Sequence, residues 1–285
     1  MFTKASPFQL FSALIFGGLT GCAGEADDTS GSDSDTDAST TEVSSYESGK
    51  YQMSSFVLLE SNTGKDLDDD GTEDNNLPNL LALADTLVAG QPLSRDELNA
   101  TIAGYLDDQT MIILLEGNQV DAVLQIDILA GVLDGDTLSV DPDSLNDDGS
   151  AISSLTGEFS SETEFSVLAD DIVIPVTLFV DQPPLLIPVR NAELTGTIDA
   201  DGSSGFVYGA APTEGVIDGL LAPLIPDEGV DINGNDTIDS NETEEALLGI
   251  AADLLQNPNM ADIVFEDGSR GVSIAFSFEA DPVSW

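Results

Sequence analysis

The sharpest pattern in the chain is the alternation of Val272, Ile274, Phe276 and Phe278 with Ser273, Ala275 and Ser277. A period of two places one face of an extended segment in a core. Leu124, Ile126 and Ile128 alternate with Gln125 and Asp127 in the same way. Gln52 to Glu60, Met111 to Leu115, and runs near Phe159 to Leu168, Ile172 to Val180, Leu185 to Val189 and Leu194 to Ile198 give further strands. Pro183 and Pro184 argue against one continuous strand there. Helical spacing is rarer. Leu77 to Val88 reads as a helix with Asn76 at its N-cap. Ser94 and Glu97 have capping-box spacing, ahead of Leu98, Ile102, Tyr105 and Leu106 on one helical face. Glu242 to Leu255 carries Leu247, Ala251, Leu254 and Leu255 on one face, with Pro258 beyond its end. Many short strands and few helices predict a mainly β fold: an antiparallel sandwich or barrel-like body, residues 51–285, with about three helices packed on one side.

The first fifty residues lie outside that pattern. Lys4 is followed by an apolar stretch from about Phe8 to Leu19, too short for a membrane span, which takes about 20 apolar residues. A basic start, a short apolar run and small residues make residues 1–21 a secretory signal. Leu19-Thr20-Gly21-Cys22 resembles the lipobox of bacterial lipoproteins. The resemblance implies cleavage before Cys22, a diacylglyceryl group on its sulfur and an acylated amino group, hence a membrane anchor. In enteric lipoproteins an Asp after the cysteine favours inner-membrane retention. Ala23 at that place leans toward the outer membrane. Residues 22–50, rich in Ser, Thr, Asp and Gly, are expected to be a disordered acidic tether, because they cannot bury enough surface to offset their ordering entropy. The strands are too few and too acidic for a transmembrane barrel.

Charge narrows the partners. There are 54 Asp and Glu against 6 Lys and Arg, for a formal net charge of −48. Nucleic acid would be repelled, and so would anionic lipid headgroups. Saline adaptation and metal binding both fit such a surface and are compatible. With one cysteine and no histidine, the chain cannot make an internal disulfide, a zinc or copper site of the usual ligands, or a Ser-His-Asp or Cys-His centre. Oxygen ligands remain, and they suit calcium or magnesium.

Two acidic loops concentrate those ligands. The residues Asp231-Ile232-Asn233-Gly234-Asn235-Asp236-Thr237-Ile238-Asp239-Ser240-Asn241-Glu242 have oxygen side chains at the first, third, fifth and ninth places and Glu at the twelfth. They resemble an EF-hand loop. The match implies side-chain ligands from Asp231, Asn233 and Asn235, a carbonyl from Thr237, Asp239 directly or through water, and both oxygens of Glu242. Ile238 matches the apolar residue that packs beneath such loops. Asp236 departs from the family's Gly at the sixth place, and Pro223 and Pro226 break any entering helix. The second loop, Asp66-Leu67-Asp68-Asp69-Asp70-Gly71-Thr72-Glu73-Asp74, resembles the short calcium loops of EF-hand, dockerin and thrombospondin type-3 repeats. Its candidate ligands are Asp66, Asp68, Asp70, Thr72 and Asp74. Its twelfth place is Leu77, so a closing acid is absent. Asp141 to Gly149 lacks the spacing and reads as an ordinary turn.

No nucleophile elbow, phosphate loop or dinucleotide fingerprint is present. The leader, acidic linker and Asp-x-Asp-x-Asp-Gly loop together resemble uncharacterised acidic surface lipoproteins of Gram-negative bacteria, which implies no activity. The expectation is a calcium-binding envelope or cell-surface lipoprotein with a structural or adhesive role, leaning away from an enzyme. Its alternatives are a secreted carboxylate-dependent hydrolase, which needs a pocket with two close acids, and a carrier of an apolar ligand, which needs a large dry cavity.

Overall fold

A computed structural model describes residues 46–87, 94–177 and 185–285. The leader, Cys22 and most of the expected tether lie outside the described residues. The body begins earlier than Tyr51. The first strand starts at Ser48, the Tyr46 ring packs 5.7 Å from that of Phe159, and the Tyr46 hydroxyl donates to the Gly117 carbonyl at 3.2 Å. Apolar weight is low there, but two aromatic rings anchor the entry.

The alternation seen in the sequence builds a closed eight-stranded antiparallel barrel. Its staves, in order round the wall, are β1 (Ser48–Leu58), β2 (Ile113–Val120), β3 (Val123–Asp134), β5 (Ser153–Phe159), β6 (Glu164–Val176), β7 (Leu185–Asp199), β8 (Gly202–Pro212) and β10 (Arg270–Pro282), which pairs back onto β1. Two short strands stand off the wall: β4 (Thr137–Val140) pairs with the end of β3, and β9 (Ile263–Val264) with the start of β10. The architecture is therefore a barrel and not a sandwich. Closure gives every stave a neighbour on both sides, with the β5–β6 ladder ending at Leu168 and the β1–β2 ladder at Gln52.

Inward rows are apolar. Leu124, Leu155, Val167, Val189, Leu194, Val272 and Ile274 are fully buried, and the Phe56 and Phe276 rings stack at 4.4 Å inside. Outward rows carry Glu116, Gln125, Thr156, Ser166, Glu193, Thr195 and Ser204. That sidedness is the inverse of a membrane barrel, whose apolar band faces out.

The paired apolar runs flanking residue 170 and residue 191 fuse into single long strands. Ala169 pairs with Ala192 and Asp171 with Arg190, so Asp170 and Asn191 lie opposite each other where both strands change inward phase. Asn191 adopts φ 51° there. Two half-strands with mismatched alternation therefore read as separate runs although the register is kept across them.

The helices occupy two connections. α1 (Leu77–Leu87) and α2 (Arg95–Asp107) join β1 to β2, and α3 (Thr213–Gly215) and α4 (Glu244–Leu254) join β8 to β10. β1 and β8 both run antiparallel to β10, so these connections leave the same end of the barrel. Four helices stand among the described residues, where about three were expected. The additional one, α3, continues through a π-turn (Val216–Leu221) and a 3-10 turn (Ala222–Leu224). It is too short and too rich in Gly and Pro to show a helical period. α2 has its capping box: Ser94 accepts from the Glu97 amide, and the Glu97 carboxylate accepts from the Ser94 amide. Leu77, Leu81, Leu98 and Ile102 plug the mouth against Val176, Ile187 and Phe276. At the other end the Tyr51 hydroxyl donates to the Asp199 carbonyl at 2.7 Å.

Candidate metal centre

The first acidic loop leaves β1 and runs along the outer wall. The Leu59 amide donates to the Ala275 carbonyl at 3.0 Å, and Leu67 packs on the cluster of Ala210, Ile263 and Phe265. Lys65 pairs with Glu193 of β7. Within the loop, Asp66 accepts from the amides of Asp70 (3.1 Å) and Gly71 (2.8 Å). Asp68 accepts from Asp70 at 3.1 Å, and Asp70 from Thr72 at 2.8 Å. Asp69 and Gly71, at the fourth and sixth places, take φ of 61° and 89°.

The later loop repeats this wiring place by place. Asp231 accepts from Asn235 (3.2 Å) and Asp236 (2.7 Å), and from Gly234 as well (2.8 Å). Asn233 accepts from Asn235 at 3.1 Å, and Asn235 from Thr237 at 2.9 Å. Gly234 and Asp236 take φ of 71° and 62°. The sixth-place Asp thus adopts the left-handed turn that the family gives to Gly, at some steric cost. First, third and fifth side chains each fold back on a later amide of their own loop.

The loops close differently. Glu242 is 1% exposed. One of its oxygens accepts from the amides of Ile232 and Asn233, each at 3.1 Å, and the other from Asp239 at 2.9 Å. Three of a carboxylate's roughly four lone-pair directions are thereby used by the chain itself. Gly229, with φ 95°, permits the closing bond from the Val230 amide to the Glu242 carbonyl; a Cβ there would sit 2.0 Å from that oxygen. In the first loop the ninth-place Asp74 takes over, accepting from the Leu67 amide at 2.7 Å. Both loops therefore cap the amide of their second residue with a carboxylate, from the twelfth place in one and the ninth in the other.

Asp66, Asp68 and Asp74 each bring an oxygen to within 4.8 Å of the others, the one such acidic trio among the described residues. Asp70 and Thr72 are outside it. Burial pushes the Asp74 carboxyl above its ordinary value, the Leu67 amide opposes this, and the charges of Asp262, Asp68 and Asp70 add to the rise. A divalent cation at the trio would offset that repulsion. In the later loop the amide groups of Asn233 and Asn235 donate to Asp239 at 3.0 and 3.1 Å, so a mixed amide-carboxylate set stands in place of a carboxylate trio. Ile238 is 41% exposed and does not pack beneath the loop as expected, because the preceding segment supplies no long entering helix to cover it. The expected exit helix is present as α4, N-capped by Thr243.

Sequence reasoning missed the polar residues that hold the first loop to the wall. Asn75 donates to the Leu59 and Glu60 carbonyls and accepts from the Ala275 amide. Asp262 accepts from the Ser273 amide and hydroxyl at 2.9 and 2.5 Å. Their partners are backbone groups or residues over 10 positions distant, so no local spacing marks them. Two small apolar clefts lie among the described residues. A cleft of about 20 Å³ lies between α1 and α4, and one of about 10 Å³ lies at the barrel mouth. Neither is a large dry cavity. Every basic side chain among the described residues has an acidic or carbonyl partner: Lys50 with Glu116, Lys65 with Glu193, Arg95 with Glu60, Arg190 with Asp171 and Asp267, and Arg270 with the Ala261 carbonyl.

Fold and loops together define a closed barrel, apolar within and largely polar outside, with two like-wired turns in the connections at its helical end. No protein family, curated protein or solved structure matches the chain.

Proposed function

We propose that the protein is a calcium-binding lipoprotein of the cell envelope, held through lipid on Cys22, whose two loops stabilise the helical end of a rigid acidic barrel. The observation that carries this reading is the shared wiring of two loops far apart in sequence. Each folds its first, third and fifth oxygen side chains inward around the same pair of left-handed residues. Oxygen groups without histidine or thiol suit a hard cation, and in the first loop Asp66, Asp68 and Asp74 stand close enough to share one. Lipidation rests on the Leu19 to Cys22 resemblance, and the outer membrane on Ala23. The role is structural or adhesive, and nucleic acid is not a partner for a body with this charge and no unengaged base among its described residues.

Titration calorimetry on the leaderless chain carrying Cys22→Ser tests calcium. The expected result is saturable calcium heat, weakened by Asp68→Asn and by Glu242→Gln and unchanged by Glu47→Gln. Absence of calcium heat at millimolar concentration overturns the calcium reading and leaves saline adaptation of the surface. In the full-length protein, Cys22→Ser should abolish membrane fractionation. A mature-sized variant that still sediments with membranes would overturn the anchor.

A further inference from the structure

We propose that the outward face of β8, around Phe206 and Tyr208, is a docking site for an arginine-bearing segment of a partner protein. Docking there lies beyond the calcium and anchor readings and depends on neither.

Residues two apart on a strand share a face. Val207 points into the barrel and is 1% exposed, so Phe206 and Tyr208 point out. Their ring centroids are 5.9 Å apart and their planes differ by 14°. Phe206 is 42% exposed, in a wall whose outward rows are largely polar. Singly exposed apolar residues are ordinary, but here two rings stand side by side in a bordered strip. Across the ladder Tyr208 stands opposite Glu193, and Glu193 opposite Leu168, itself 57% exposed. On the other side Ser204 opposes Glu279 of β10. That places the exposed Glu279 diagonal to Phe206, within reach of a long side chain lying on the ring. Burial first, and then the charges of Glu193 and Glu73, hold the Tyr208 hydroxyl above its ordinary value. Carboxylates from both neighbouring strands therefore border the two rings.

Charge selects the occupant. A second copy of the chain, with its formal net charge of −48, would be repelled, as would nucleic acid or an anionic lipid surface. A guanidinium suits the border, because its planar face stacks on a ring while its edge binds carboxylates. The molecule makes this combination of ring, cation and acid twice within itself. Arg190 lies 5.1 Å over the Phe265 ring and pairs with Asp171 and Asp267. Lys50 lies 4.6 Å over the Trp285 ring and pairs with Glu116. Lys65, from the first loop, reaches Glu193 at the edge of the β8 face. Phe206 and Glu279 present ring and carboxylate to solvent, where a cation of another chain can engage both.

Fluorescence anisotropy on the leaderless chain carrying Cys22→Ser tests this, with chelator present so that calcium plays no part. The probe is a dye-labelled peptide alternating arginine with serine, at physiological salt, and its comparison carries glutamine for arginine. The arginine peptide is expected to bind and the glutamine peptide not to. Phe206→Ser should weaken binding about fivefold, and Phe206→Leu, which keeps apolar bulk but loses the ring, nearly as much. Glu279→Gln should weaken it about twofold. Asp121→Asn, which removes the same charge in the β2–β3 turn, should leave it unchanged. All three positions are exposed, so the changes leave the fold intact. Equal affinity of Phe206→Ser and the parent overturns the proposal, because the attraction is then diffuse. Equal losses from Asp121→Asn and Glu279→Gln overturn it for the same reason. Absence of binding by the arginine peptide also sinks it, as does equal binding by the glutamine peptide.

Discussion

The two acidic turns have the same internal wiring but different supports. The first, Asp66 to Asp74, lies against the barrel wall, held by Asn75, Leu67 and the Lys65 pair with Glu193. The second, Asp231 to Glu242, closes on its own buried glutamate and leads straight into α4. A nine-residue turn suffices where an existing sheet holds it. A twelve-residue turn carries its own closing carboxylate where only a helix follows. The difference teaches that the closing acid in such a loop has a chain-ordering task separable from any cation.

The largest effect should fall on Glu242. Glu242→Ala leaves three amides without their acceptor and is expected to cost about 3 kcal/mol in chemical denaturation with chelator present. Asp74→Asn retains an acceptor for the single Leu67 bond and should cost about 1 kcal/mol or less under the same conditions. Equal losses would erase the distinction between a self-closed and a wall-supported turn.

Calcium comes next. At 100 times its dissociation constant, one site should add about 2.7 kcal/mol to the body, read as a raised melting temperature. Sodium at matched ionic strength should not reproduce it, whereas charge screening alone predicts that it would. Asp74→Asn should remove the first loop's share of this gain and Glu242→Gln the second's, so that the pair of variants separates the sites.

The sixth places offer a smaller, opposed pair. Gly71 takes φ 89° with open space around it, so Gly71→Ala adds only backbone strain, about 1 kcal/mol of lost stability. Asp236, at φ 62°, is the position where a glycine relieves strain. Asp236→Gly should gain about 0.5 kcal/mol after the extra freedom of the unfolded chain is deducted. Matching signs at the two places would mean that the turns are not equivalent.

The smallest effect is on pH. The Asp74 carboxyl is raised above 3.8, chiefly by burial. Protonated Asp74 is therefore favoured in the folded state. Its stability contribution is complete below 3.8 and is lost as pH rises through the elevated folded value. Without calcium, the stability of the parent minus that of Asp74→Asn should fall across this window. Taking the difference cancels Asp108, Asp148 and Asp267, whose lowered values act with opposite sign. Calcium favours the ionised carboxylate and should flatten or reverse the slope.

Sequence alone determined the parts whose signal is local. The alternation around Ile126 and Ile274, the Ser94 capping box, the α4 face and the spacing of oxygen side chains in both turns all follow from neighbours a few residues apart. The sixth-place left-handed residues, Gly71 and Asp236, could be placed from the turn geometry, whereas the fourth-place Asp69 and Gly234 were not. β8 was not legible: Gly-Ser-Ser-Gly-Phe-Val-Tyr-Gly-Ala-Ala-Pro offers few large apolar residues, and it becomes a stave because β7 and β10 present ladders on both its edges. Closure into a barrel, the fusion of half-strands across Asp170, the placing of both turns in connections at one end, and the hold of Asn75, Asn76 and Ser273 were decided only by the tertiary structure. Those features depend on pairings between residues as far apart as Asn75 and Ala275, whose register is fixed by burying one face of every strand at once.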